Sequence, residues 1–82
     1  MITIKYFARY REVLGVVAET YATAEVPDFA TLKTVIAKRH PEAIAMLQDP
    51  RCIVALNQQV VTGDVVFKSG DEVAFFPPVS GG

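Results

Sequence analysis

The sequence is poor in the groups from which catalytic and metal sites are built. It has one histidine, His40, and one cysteine, Cys52, in 82 residues. A lone cysteine cannot form an internal disulfide, and free thiols are typical of a reducing cytoplasm. Cys52 lacks a Cys-X-X-Cys partner and begins a predicted strand, so we expect a packed side chain rather than a nucleophile. His40 precedes a proline at a predicted helix end. We therefore interpret it as a helix-terminal side chain rather than a metal ligand or a catalytic group.

Strong charge and long apolar runs are also missing. The formal net charge is −1, which gives no basic field for nucleic acid or anionic lipid. No apolar run approaches the length that spans a bilayer, and the chain opens with alternating strand residues rather than a signal peptide. We therefore expect a cytoplasmic protein that binds neither nucleic acid nor membrane.

What the sequence does have is the pattern of one small α+β domain. Hydrophobic residues make up 51% of the chain, enough for a single packed core. The main helix is predicted to begin after the N-cap Asp28 and to end at His40, before Pro41. Shorter helices are predicted over 8–14, closed by Gly15, and over 42–47. Five strands are predicted, over 2–7, 19–26, 52–56, 59–61 and 72–76.

This order of elements predicts a β-grasp, the ubiquitin-like fold, with a mixed sheet and one main helix packed on one face. In that topology the first and last strands lie side by side and parallel in the centre of the sheet. The predicted organisation is a β-grasp domain over 1–76 and a flexible C-terminal tail over 77–82.

Strand alternation assigns side chains to the two faces of the sheet. Ile2, Ile4 and Tyr6 are expected to face the core, which leaves Phe7 pointing outward. Phe76 likewise faces away from its neighbour Phe75. We therefore expect Phe7 and Phe76 to meet on the face away from the helix, as a partner-binding patch. We also expect Val60 to extend this patch and Arg11 to add a polar contact at its rim. In the first helix, Val13 and Leu14 are expected to pack inward.

The final eight residues, from Phe75 to Gly82, are the most informative stretch. Pro77 and Pro78 must end the last strand, because proline has no N–H to donate to a neighbouring strand. The following residues, Val79, Ser80, Gly81 and Gly82, include glycines that fit a slot too narrow for other side chains. Six extended residues reach roughly 20 Å. The reactive group at the tip is the carboxylate of Gly82.

No residue pattern indicates an active site within the chain itself. Asp71 and Glu72 are adjacent carboxylates, but neighbours in a strand point to opposite faces and cannot flank one substrate atom. A carboxylate becomes a useful electrophile once ATP converts it to an acyl-adenylate, which requires another enzyme. The activated carbonyl of Gly82 can then accept sulfur, giving a thiocarboxylate, or an amine, giving a protein conjugate.

Several motifs resemble the MoaD branch of the MoaD/ThiS sulfur-carrier family. They are the opening strand over 1–7, Arg11-Glu12-Val13-Leu14-Gly15, Leu56-Asn57-Gln58, Ser69-Gly70-Asp71-Glu72-Val73 and the terminal Phe75-Phe76-Pro77-Pro78-Val79-Ser80-Gly81-Gly82. The terminal block is the specific part, since Gly-Gly alone is shared with thiamin sulfur carriers and ubiquitin-like modifiers. The region over 16–50 carries no motif of the family.

The resemblance implies a sulfur-carrier subunit of molybdopterin synthase. Gly82 would be adenylated by an activating enzyme with ATP, and sulfur from a persulfide donor would convert it to a thiocarboxylate. The tail, with Val79, Ser80 and Gly81 in the partner's channel, would deliver sulfur to cyclic pyranopterin monophosphate. The large subunit would supply the catalytic residues in a heterotetramer, and no cofactor or metal would be bound here. A carrier for thiamin or another pathway and a ubiquitin-like modifier remain alternatives.

Overall fold

The first and last strands of the chain form the centre of a five-stranded sheet. A computed structural model describes residues 1–78. The strands are β1 (Ile2–Tyr6), β2 (Ala18–Tyr21), β3 (Ile53–Leu56), β4 (Gln59–Val61) and β5 (Glu72–Phe76). Their order across the sheet is β2-β1-β5-β3-β4. The β1 and β5 strands run parallel, and the other neighbours are antiparallel. The predicted β-grasp is thereby confirmed.

One main helix lies against the sheet, with shorter helical segments around it. The helices are α1 (Arg9–Leu14), α2 (Phe29–Arg39) and α3 (Ile44–Gln48), with a 3-10 turn over Pro41–Ala43 between α2 and α3. Asp28 caps α2 as predicted, because its carboxylate accepts a hydrogen bond of 2.8 Å from the backbone N–H of Thr31. Across residues 1–78, no helix combines the length and the apolar character needed to cross a membrane.

The core lies between α2 and one face of the sheet. Burial alternates along β1, so that Ile2, Ile4 and Tyr6 are almost fully buried, as predicted. They share the core with Val73 and Phe75 of β5 and with Leu32 and Ile36 of α2. The opposite sheet face receives the alternate side chains of the same strands.

Two local predictions were wrong. Val13 is 52% exposed, while Tyr10 and Leu14 are the buried residues of α1. Tyr10 and Leu14 are four positions apart and lie on one helix face, whereas Val13 is turned about 100° from Leu14. The second strand stops at Tyr21 rather than at Val26, because the carbonyl of Ala22 accepts hydrogen bonds from the N–H groups of Glu25 and Val26 and turns the chain.

Candidate functional site: the root of the C-terminal tail

The last strand leads directly into the predicted tail. β5 ends at Phe76, and Pro77 and Pro78 follow, both half-buried. Because β5 lies between β1 and β3, the chain leaves from the middle of the sheet. The predicted carboxyl carrier Gly82 and the predicted channel residues Val79, Ser80 and Gly81 lie outside the described residues.

Two aromatic rings lie at this root. The rings of Phe7 and Phe76 stack with centroids 4.5 Å apart and an angle of 11° between their planes. The parallel register pairs Tyr6 with Phe75, and the Phe7 N–H donates a hydrogen bond of 3.1 Å to the Phe75 carbonyl. Phe7 is therefore held beside Phe76, on the sheet face opposite the core. The predicted proximity of the two rings is confirmed.

The sheet register extends this patch across two more strands. Ile53 pairs with Phe76, and Ala55 pairs with both Ala74 and Val60. Residues directly opposite each other in a sheet project from the same face. We call the resulting surface the apolar face: Phe7, Phe76, Ile53, Ala74, Ala55 and Val60. Val60 is 71% exposed, so its side chain is available to a partner.

Ile53 is the member of the apolar face that sequence reasoning missed. Alternation along β3 contained the signal, since Val54 and Leu56 contact the core cluster and Ile53 must then point the other way. Its position beside Phe76 could be known only from the pairing of β3 with β5.

Charged groups border the apolar face. The Lys5 ammonium lies 3.2 Å from the Glu72 carboxylate, and both project from the same face as Phe7 and Phe76. Arg11 is exposed on α1, four residues beyond Phe7, and within residues 1–78 it forms no ion pair. The Lys5–Glu72 ion pair therefore gives the apolar face a polar edge, as is usual at a protein interface, and the role of Arg11 at the rim stays a prediction.

The sequence raised two candidate reactive groups, the Cys52 thiol and the Asp71 carboxylate. Burial raises the pKa of the Cys52 thiol, so the thiol stays protonated at neutral pH. Within residues 1–78, no three His, Cys, Asp or Glu side chains are grouped so as to hold a metal ion. The Asp71 carboxylate accepts hydrogen bonds from the Asn57 side chain and the Lys68 N–H, so it stabilises the β5 entry turn.

His40 takes part in a network that the sequence did not reveal. Its Nε2 lies 3.0 Å from the Glu19 carboxylate, which also accepts hydrogen bonds from the hydroxyls of Tyr6 and Tyr21, at 2.6 and 3.1 Å. Burial by itself would raise the pKa of Glu19, but the hydrogen bonds from Tyr6 and His40 outweigh it and hold that pKa below its usual value. The network ties the end of α2 to β1 and β2.

Comparisons with known proteins agree with this architecture. Residues 4–82 match the family model described as the ThiS family. The chain is 39% identical to the molybdopterin synthase sulfur carrier subunit of Escherichia coli K12, with 100% of each chain covered. It is 35% identical to the subunit of the same name from Haemophilus influenzae, again over 100% of each.

Solved structures show the same fold. The crystal structure of SAMP1, a small archaeal modifier protein from Haloferax volcanii, matches with a TM-score of 0.85 at 24% identity, over 99% of this chain and 98% of that one. A complex of subunits 1 and 2 of the molybdopterin-converting factor from Helicobacter pylori contains a chain that matches with a TM-score of 0.72 at 18% identity, over 99% and 97%. With a family model spanning nearly its whole length, the chain belongs to the ThiS family, the MoaD/ThiS sulfur carriers that its motifs resemble.

Proposed function

We propose that this protein is the sulfur-carrier subunit of a molybdopterin synthase and acts in the cytoplasm. The observation that carries the proposal is the joint placement of the tail root and the apolar face. β5 leads into Pro77 and Pro78 from the centre of the sheet, beside the stacked rings of Phe7 and Phe76. Relatives identical at 39% and 35% over their full length are named for this role, which supports it over a thiamin carrier.

The chemistry begins on the carboxylate of Gly82. One of its oxygens attacks the α-phosphorus of ATP on an activating enzyme, and pyrophosphate leaves. A persulfide sulfur on a donor protein then attacks the acyl-adenylate, and AMP leaves. A thiol cleaves the resulting acyl persulfide, which releases the thiocarboxylate and leaves a disulfide on the donor side. ATP is consumed by the activating enzyme, and this chain binds no cofactor of its own.

The large subunit of the synthase is the second partner. In this proposal it covers the apolar face, with Phe7, Phe76 and Val60 in its contact surface and Arg11 at the rim. Val79, Ser80 and Gly81 occupy its channel, and the Gly82 sulfur reaches cyclic pyranopterin monophosphate. The dithiolene has two sulfurs, so two charged carriers are consumed for each product, in keeping with a heterotetramer. The catalytic side chains belong to the large subunit.

Deletion of Gly82 tests the proposal. The tail follows the last core strand, so the deletion should abolish molybdopterin synthesis in a reconstituted assay and leave thermal unfolding unchanged. Gly81→Val should also block activation, because it adds a branched side chain inside a narrow channel. A Gly81→Ala variant is the graded control, with a smaller loss expected.

Mass spectrometry separates this function from the alternatives. Intact protein charged by its activating enzyme should gain the mass difference between sulfur and oxygen, located on the C-terminal peptide. Accumulation only of lysine conjugates through Gly82 would replace the proposal with a protein-modifier function. Synthesis of molybdopterin by the Gly82 deletion would refute the role of the tail.

A further inference from the structure

A second binding feature lies at the far edge of the sheet, on β2. β2 is an outermost strand, and the Tyr6 N–H donates a hydrogen bond of 3.0 Å to the Val17 carbonyl. Because hydrogen-bonded pairs alternate along an antiparallel ladder, the backbone N–H and C=O groups of Ala18 and Thr20 point away from β1. Among residues 1–78, these outward-pointing groups have no hydrogen-bond partner. This edge can therefore accept another strand.

The free edge opens onto a groove. A groove of about 640 Å³ lies between the end of β2 and the C-terminal half of α2. Ala22 and Val35 contribute apolar surface to it, Tyr21 lines it with 4% of its surface exposed, and the exposed Met1 side chain is also among its lining residues. A strand added to β2 would place apolar side chains at its end near Thr20 against this surface.

The lining residues of the groove carry a small excess of positive charge, although the whole chain is slightly negative. Lys38 and Arg39 line its α2 side, and Glu25 is the single acidic side chain among its lining residues. Arg39 is fixed in place, since its guanidinium carbon lies 5.5 Å from the centre of the Tyr21 ring and its Nε lies 3.5 Å from a Glu19 oxygen. Lys38 forms no ion pair within residues 1–78 and is free to meet a carboxylate.

We propose that this groove binds an extended, acidic segment of a partner protein, which adds to β2 as a sixth strand. Backbone hydrogen bonds to Ala18 and Thr20 would supply affinity, and alternate apolar side chains and carboxylates would supply specificity. A second copy of this chain is disfavoured as the occupant, because it would bring the cations of Lys38 and Arg39 against their own counterparts.

The groove is separate from the proposed sulfur-transfer surface. Met1 lies at the groove and Phe7 at the tail root, and these residues flank opposite ends of β1. A segment paired with Ala18 and Thr20 would lie outside β2, so β2 and β1 would separate it from β5 and the tail root.

A synthetic peptide tests this site on the full-length protein. The probe is a capped nine-residue peptide with a central Val-Thr-Val-Thr-Val segment and two carboxylate residues at each end. Titration into isotope-labelled protein should shift the amide signals over 18–22 most strongly and slow the hydrogen exchange of Ala18 and Thr20. A peptide with lysines in place of the carboxylates should bind at least tenfold more weakly, and added salt should weaken the acidic one.

Paired variants identify the groove as the binding site. Lys38→Glu should weaken peptide binding about three- to tenfold, whereas the same reversal at exposed Lys68, outside the groove, should have no effect. Thr20→Pro removes one outward donor and should weaken binding relative to Thr20→Val, which keeps it. Since Thr20→Pro carries a folding risk, the same peptide N-methylated at its central residues gives a second test of the backbone hydrogen bonds.

Several results would overturn the proposal. They are the absence of peptide-induced shifts over 18–22, shifts confined to the apolar face, and equal binding by the N-methylated peptide. Concentration-dependent shifts of the Ala18 and Thr20 amides without peptide would instead identify a second copy of the chain as the occupant.

Discussion

The Phe76→Ala variant is the sharpest test of whether Phe76 serves partner binding or the stability of the fold. The Phe76 side chain is half-buried and its main aromatic contact is the stacked ring of Phe7, whereas Phe75, one residue earlier, is 1% exposed and points into the core. Phe76→Ala removes the stack but leaves the core side of the sheet intact. We expect it to lower the free energy of unfolding by about 1–3 kcal/mol, because the stacking energy of the pair and the apolar area covered by the half-buried ring are both lost.

Partner binding should also weaken. Truncating an aromatic residue at the centre of an interface costs about 1–3 kcal/mol of binding free energy, or roughly a 5- to 150-fold rise in Kd. Titration calorimetry of the folded variant against the large synthase subunit measures this change, and denaturant unfolding measures the stability. The two measurements together distinguish a docking residue from a structural one.

Two control variants bracket the result. Phe75→Ala should lower the free energy of unfolding by about 3–5 kcal/mol, as expected for a buried phenylalanine. Val66→Ala alters a side chain that is 76% exposed and lies outside the apolar face, so it should change neither quantity. Unchanged affinity of folded Phe76→Ala, or a loss of affinity fully accounted for by unfolding, would refute the assignment of the apolar face as the docking surface.

Two further predictions concern stability. Gln58 lies in the β3–β4 turn at φ 71°, a conformation that costs a residue with a side chain more than glycine, so Gln58→Gly should raise the free energy of unfolding by about 0.5–1 kcal/mol in denaturant titrations. The control Gln59→Gly, in β4, should lower it. A destabilising Gln58→Gly would contradict this reasoning. The pKa of Glu19 is lowered from 4.5 on folding, so its contribution to stability is complete at neutral pH and is lost as pH falls below about 4.5. Glu19→Gln should be less stable at pH 7 and should flatten the acid limb of stability against pH; an unchanged acid limb would exclude Glu19 as its source.

The sequence by itself determined the elements with short-range signals. Proline fixes the end of β5 at Phe76, and Asp28 and Pro41 delimit α2, because these residues act on the backbone next to them. The alternation of Ile2, Ile4 and Tyr6 likewise predicted the buried face of β1. The family motifs at Gly15, Asn57 and the tail supplied the functional hypothesis.

Apart from the predicted meeting of Phe7 and Phe76, only the tertiary structure decided which distant residues meet. Ile53 joins the apolar face through the β3–β5 register, and His40 meets Glu19, 21 residues away in the sequence, because α2 ends over β1 and β2. The groove at β2 exists because that strand lies at an edge of the sheet. Strand order and register are set by the packing of the whole core, and no local sequence pattern specifies them.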